Sequence, residues 1–215
     1  MSSQSHWQNV YQTRRPDEVS WYRAHLDVSL ALIEQAATNR DARIIDVGGG
    51  ASTLVDDLLA RDYRHVSVVD LSSTAFEVAK GRLGDRADKV EWLSGDATTF
   101  AFPEHRYDVW HDRATFHFLT RVKDRAAYVR QVARAVKPGG HLIVSTFGPG
   151  GPTRCSGLDI VRYDAQALHD EFGARFRLVK HLTQVHRTPA GVDQQFIYCR
   201  YSVTPESGRV TQVPG

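Results

Sequence analysis

The chain has 215 residues, with 27 basic against 25 acidic side chains and a net charge of +2. That length suits one domain with a full core, and the balanced charge leaves no electrostatic footprint for nucleic acid or an acidic membrane surface. No apolar run is long enough to span a bilayer, and residues 1–6 have neither the basic nor the apolar region of a secretory signal, so the expected location is the cytoplasm.

Residues 6–22 hold Trp7, Tyr11, Trp21 and Tyr22 ahead of any strong periodic pattern. They read either as a short helix pinned to the core by aromatics or as a lid over a ligand. Residues 23–38 place Leu26, Leu30, Ile33 and Ala37 on one helical face. A first strand, Arg43-Ile44-Ile45-Asp46-Val47, runs into the turn Gly48-Gly49-Gly50. A helix to about Arg61 follows, with Leu54, Val55, Leu58 and Leu59 at helical spacing. The second strand spans residues 65–70 and ends on Asp70. Residues 73–83 are helical, with Ala75, Phe76, Ala79 and Leu83 inward, and a third strand at 90–93 is followed by Gly95-Asp96.

A fourth strand, 107–111, precedes Asp112-Arg113, which open the next segment. A helix capped by Asp124 runs to Val136 and is stopped by Lys137-Pro138-Gly139-Gly140. The fifth strand is 141–147, and a Gly/Pro loop covers 148–157. A last helix spans 164–172. Two strands, about 176–186 and 195–201, meet across Thr188-Pro189-Ala190-Gly191 as a hairpin. Strands alternating with helices build a parallel sheet covered on both faces, and the closing hairpin must add an antiparallel strand. The divisions are a lid at 1–22, a domain at 23–203 and a polar tail at 204–215.

Ligands of doubly wound sheets sit outside the carboxyl ends of the strands. Asp46, Asp70, Asp96 and the pair His111-Asp112 all fall there. A dinucleotide turn needs G-x-G-x-x-G, and here the last glycine is missing. Asp46 at the mouth of the loop would repel a pyrophosphate but suits the α-ammonium and sulfonium of S-adenosylmethionine. The cofactor's own carboxylate could meet the helix N-terminus. Asp70 suits a ribose diol, with Leu71 beside it. Asp96 can accept from the adenine amino group, and the Ala97 N–H can donate to a ring nitrogen.

Asp46-x-Gly48-x-Gly50, Asp70, Gly95-Asp96-Ala97 and Lys137-Pro138-Gly139-Gly140 resemble, in order and spacing, the class I S-adenosylmethionine-dependent methyltransferases over about residues 40–150. Ser52 stands where that family often has a further glycine. The resemblance implies an α/β, Rossmann-like sheet of seven strands in the order 3-2-1-4-5-7-6 with strand 7 antiparallel. It also implies S-adenosyl-L-methionine as cofactor and S-adenosyl-L-homocysteine as product.

Trp110-x-Asp112-Arg113 resembles a segment of thiopurine S-methyltransferase-like proteins. Trp7-x-x-x-Tyr11 and Val19-Ser20-Trp21 resemble that family's aromatic N-terminal segment, which implies cofactor contacts from Tyr11 and Trp21. The loop at Gly151-Pro152 is similar to its acceptor-side loop. A partial resemblance to small lysine methyltransferases keeps a protein acceptor as an alternative. A non-catalytic S-adenosylmethionine-binding subunit is another, and a dehydrogenase comes last.

For the acceptor, the candidates are Arg113 as a substrate or thiolate anchor, His117 as general base and Cys155 as a contact for a soft substrate, with His111 lining the cofactor pocket. Asp112 belongs to the same group unless it merely caps the next helix and pairs with Arg113. Cys199, inside a strand, reads as core. The two cysteines form no CxxC pair and the ten histidines no HxxxH pair, so no metal site is expected. The leading expectation is methyl transfer to a small-molecule acceptor, a thiol or other soft nucleophile, without nucleic acid or membrane partners.

Overall fold

Residues 44 and 45 show how the sheet is built. In the computed structural model, which describes residues 3–204, adjacent residues of each central strand point to opposite faces. Ile44 therefore enters one core layer and Ile45 the other. The strands are β1 (Arg43–Val47), β2 (His65–Asp70), β3 (Val90–Ser94), β4 (Tyr107–Arg113), β5 (Val136–Phe147), β8 (Phe176–Arg187) and β9 (Asp193–Val203). They pair in the order β3-β2-β1-β4-β5-β9-β8. Counting only the strands of this sheet, the order is 3-2-1-4-5-7-6. The last strand, β9, is antiparallel to both of its neighbours. A two-stranded ribbon, β6 (Arg154–Cys155) with β7 (Leu158–Asp159), projects from the connection after β5.

The helices are α1 (Ser3–Thr13), α2 (Asp27–Ala36), α3 (Leu54–Ala60), α4 (Ser73–Leu83), α5 (Val122–Ala135) and α6 (Ala165–Phe172). Leu30, Leu54, Leu58 and Phe76 from α2, α3 and α4 pack on Ile44, Val66 and Val109. Tyr128 and Val132 from α5 and Leu168 and Phe172 from α6 pack on Ile45, Trp110 and Leu142. With both faces covered, the central strands are buried on each side and read as near-continuous apolar runs.

Several boundaries depart from the sequence reading. The fourth strand continues through Asp112 and Arg113, so these residues end a strand instead of beginning the next segment. Helix α5 starts at Val122, and Asp124 lies in its first turn, accepting from Arg121 Nε at 2.6 Å, not at the cap. Lys137-Pro138-Gly139-Gly140 forms the start of β5, tied down where Lys137 Nζ meets Asp108 Oδ1 at 2.7 Å. Asp164 does cap α6, accepting from Ala167 N–H at 2.8 Å. Of the tail expected at 204–215, all but Thr204 lies outside the described residues, as do residues 1 and 2 of the lid.

Candidate active site

The carboxyl ends of β1, β2 and β4 and the turn after β3 form one edge, as the parallel order dictates. The first turn hugs that edge. Gly48 has φ +67° and donates its N–H to Val69 O at 2.8 Å. A Cβ on Gly48 would lie 1.8 Å from Thr115 Oγ1, and one on Gly50 (φ +39°) 2.8 Å from Asp70 Oδ2. Glycine is therefore required for the backbone to reach both neighbours.

Two adjoining cavities open here, of about 380 Å³ and about 50 Å³. Both are bounded by Tyr11, Trp21, Gly48 and Arg113. Asp70, Leu71, Asp96 and Ala97 line the larger, whose far wall carries Phe118, Cys155 and Leu158. Asp46, Gly49 and His111 line the smaller. Gly50 stands behind Asp70 and close to the Tyr11 hydroxyl.

Helix α1 roofs the larger cavity. Gln8 exchanges hydrogen bonds with α4, donating to Ser73 Oγ at 3.0 Å and accepting from the Thr74 hydroxyl at 2.6 Å. The Trp7 ring meets Trp21 and Phe118 edge-on at 5.8 and 5.1 Å. The aromatics that pin α1 also line the space beneath it. The following strap is anchored by His186 Nε2 donating to Ser20 O at 2.7 Å and by the Thr53 hydroxyl donating to Arg23 O at 2.9 Å.

The acids at the strand ends differ in environment. Burial, with a smaller contribution from the Asp46 charge, pushes the Asp70 carboxyl up to about 7, while the Ser72 N–H bond to Asp70 Oδ1 (2.8 Å) opposes it. Burial and Asp70 together hold the Tyr11 phenol far above its ordinary value. Asp96 is exposed and its Oδ1 closes a local turn by accepting from the N–H and hydroxyl of Thr98. Asp46 is fully buried and pairs with His111 Nδ1 at 2.7 Å.

The acceptor candidates separate. Arg113 donates to Tyr198 Oη at 3.1 Å and Trp21 O at 2.9 Å, with its guanidinium 4.7 Å over the Phe196 ring. Its Nη2 is buried and has no partner. It does not pair with Asp112. Asp112 is completely buried outside both cavities and accepts from Thr115 N, Phe116 N and the Tyr128 hydroxyl, so it acts as a cap. His117 is also fully buried away from the cavities, stacked on Phe147 at 4.9 Å. Burial and then the Arg113 charge lower its pKa to about 3, so the ring stays neutral. The structure therefore does not bring His117 to a position where a base could act. His117→Leu is expected to stay within about 1 kcal/mol of wild type in chemical denaturation, because both ring nitrogens are already unpartnered. Any methyl transfer by the wild type should persist in that variant.

Cys155 does reach the larger cavity, but burial pushes its thiol up to about 11 against the opposing effects of Ser20 and Arg113, so it is a thiol at neutral pH. Cys199 is core. Thr115, Phe118, Leu158 and Asp159 also line the larger cavity. Sequence reasoning missed Leu158 and Asp159 because the two-residue strands of the ribbon show no period. Thr115 could have been suspected only from its place after Asp112-Arg113-Ala114. Among the described residues, no group of three or more His, Cys, Asp or Glu side chains could hold a metal ion, and no helix is long and apolar enough to cross a membrane.

A sheet of this order with a glycine turn and successive strand-end acids has the architecture of the class I S-adenosylmethionine-dependent methyltransferases. Residues 44–140, a little under half of the chain, match the model of the methyltransferase domain family, and the class I S-adenosylmethionine-dependent methyltransferases are what the chain is similar to. The ubiquinone/menaquinone biosynthesis C-methyltransferase UbiE of Azotobacter vinelandii is 31% identical over 119 residues, covering 54% of this chain and 46% of that protein. The UbiE of Ectopseudomonas mendocina is 29% identical over 142 residues, covering 63% and 54%. The chain thus spans about half the length of the curated relatives it matches. Among solved structures, the fold is shared with Burkholderia thailandensis 1,6-didemethyltoxoflavin-N1-methyltransferase bound to S-adenosylhomocysteine (TM-score 0.73, 21% identity, 94% and 87% of the two chains). It is also shared with a protein solved for the conversion of a disulfide bond into a thioacetal group during echinomycin biosynthesis (TM-score 0.78, 18% identity, 96% and 95%).

Proposed function

We propose that this chain transfers the methyl group of S-adenosylmethionine to a small molecule held beneath α1, at a soft atom that is already electron-rich. The observation that carries the reading is the cavity roofed by α1. Its volume of about 380 Å³ falls within the range of small-molecule sites, roughly 300–1,000 Å³. Its roof and far wall are apolar, and glycine turn and strand-end acids stand opposite. When bound, S-adenosylmethionine supplies a methyl group on a positively charged sulfur.

The chain's own residues would bind and orient. Asp70 accepts from the ribose hydroxyls, and Asp96 and Ala97 face the adenine. Trp7, Trp21 and Phe118 exclude water from the transfer. The buried ionisable groups around the acceptor side supply no base. Asp159 is 3.0 Å from Arg154 Nε, the Tyr11 phenol and the Cys155 thiol stay protonated, and His117 is out of reach. An acceptor that needs no deprotonation by the enzyme fits this wall best: a thiolate, or a carbon nucleophile such as an enolate. The carbon reading draws support from the names of the UbiE relatives, the sulfur reading from the soft, aromatic wall with Cys155. The roof formed by α1 over this space favours either over a lysine presented by a folded protein.

The test is incubation with methyl-labelled cofactor and a panel of thiols, acidic carbon compounds, amines and peptides. Label in a thiol or carbon product supports the proposal. Label confined to peptides or amines would replace the acceptor class. Cofactor binding without transfer across the whole panel would leave a non-catalytic binding subunit.

A further inference from the structure

We infer that the group recognising the cofactor's α-ammonium is His111 Nε2, and that Asp46 acts through His111 as a positioning residue. This inference rests on the methyltransferase reading above. It reassigns the role that Asp46 suggests in the sequence, where its carboxylate sits at the mouth of the glycine turn.

Asp46 and His111 are register partners across β1 and β4, so their side chains rise on the same face at the same height. They meet at 2.7 Å between Asp46 Oδ1 and His111 Nδ1. Asp46 is 3% exposed and His111 0%. An ionised carboxylate only accepts, so Nδ1 carries the proton that it donates to Asp46. In the tautomer with that proton on Nδ1, Nε2 is a bare acceptor. That atom is buried, has no partner and belongs to a ring lining the smaller cavity. A buried acceptor left unsatisfied is costly, and an ammonium group entering this cavity satisfies it.

Charge in the same cavity agrees with the assignment. Arg23 and Arg113 also line it. Arg113, with Nη2 unpartnered, is left for the α-carboxylate. The helix N-terminus, the carboxylate partner expected from the sequence, is a weaker candidate. Helix α3 has seven residues, and Ser52 Oγ already takes the Leu54 N–H at 3.2 Å. The small cavity is thus divided between an accepting wall and a cationic one, which is the pattern an α-amino-acid head group requires.

The experiment is calorimetric titration with S-adenosylhomocysteine and with its deaminated analogue, which lacks only the α-ammonium. Wild type should bind the intact ligand at least tenfold more tightly. His111→Ala should lose tenfold or more for S-adenosylhomocysteine and almost nothing for the analogue, so that discrimination disappears. His111→Gln, whose side-chain oxygen can accept, should recover part of it. Asp46→Asn should narrow the discrimination too, because an amide can donate to Nδ1 and turn Nε2 into a donor. A general loss of folding would weaken both ligands equally and leave the ratio unchanged. Full discrimination retained in His111→Ala would overturn the inference while leaving the methyltransferase reading intact. Failure of the wild type to bind S-adenosylhomocysteine would overturn that reading and the inference with it.

Discussion

Gly48→Ala is expected to weaken S-adenosylhomocysteine binding by at least a hundredfold and to lower stability by about 2–4 kcal/mol, as read by calorimetry and chemical denaturation. Two separate causes add. A non-glycine residue held in the left-handed region costs about 1–2 kcal/mol, and Gly48 sits at φ +67°. The new methyl would also lie 1.8 Å from Thr115 Oγ1 and 3.0 Å from Thr115 Cβ. Thr115 cannot simply swing away. Its hydroxyl donates to Val47 O at 3.2 Å, and its N–H is held by the buried Asp112 carboxylate at 2.9 Å. The turn must therefore move, and Gly48 bounds both cavities. Adding Thr115→Ala should restore part of the stability by removing Oγ1, with the backbone cost remaining. Gly139→Ala is the control. Gly139 has φ +79° with nothing within 4 Å of the added atom, and it lies at the start of β5, the opposite edge of the sheet. It should lose only the backbone term and keep full binding. Normal binding by Gly48→Ala would remove the glycine turn from the proposed cofactor site.

What could be read in the sequence follows from which interactions are local. The alternation at Ile44-Ile45, the strand ends at Asp46 and Asp70, and the Thr188–Gly191 hairpin are set by neighbours within a few residues, and period or turn chemistry reveals them. The parallel order followed from strands and helices alternating along the chain. The roles of residues 111–117 depended on partners remote in sequence. Asp112 turned inward because β4 runs two residues further than its apolar pattern, which places the carboxylate beneath the N–H groups of Thr115 and Phe116 and against Tyr128 of α5. His117 went the same way because the short turn at Phe116–Phe118 delivers its ring onto Phe147 of β5. A polar run of four ionisable groups therefore reads as a catalytic cluster in sequence and divides in space. His111 and Arg113 go to the cavities, and Asp112 and His117 to the core. The pairing of His111 with Asp46 was equally hidden, since it requires knowing that β1 and β4 are adjacent and in register.

Asp70 is where charge and binding should be most visibly linked. Asp70→Ala is expected to weaken S-adenosylhomocysteine by about 1–3 kcal/mol, the scale of losing hydrogen bonds to a charged acceptor. The wild type should show a pH dependence that the variant lacks. The carboxyl is pushed up to about 7 in the folded chain, principally by burial, against an ordinary value near 4. Between those values the folded protein binds more protons at this site than the unfolded chain. The Asp70 contribution to stability therefore falls as pH rises from about 4 to about 7, and is constant above. A ribose diol donates two hydroxyl hydrogens and so selects the ionised carboxylate. Below pH 7, binding must expel the proton, and affinity should rise nearly tenfold per pH unit before levelling off above 7. The melting-point increase produced by S-adenosylhomocysteine should accordingly be larger at pH 8 than at pH 5. Asp70→Asn cannot ionise and offers one acceptor, so its affinity should be low and flat across that interval. A wild-type affinity independent of pH between 5 and 8 would mean that the diol does not rest on Asp70. The acid at the end of β2 would then act through its bond to Ser72 N–H alone, as a cap on the turn into α4.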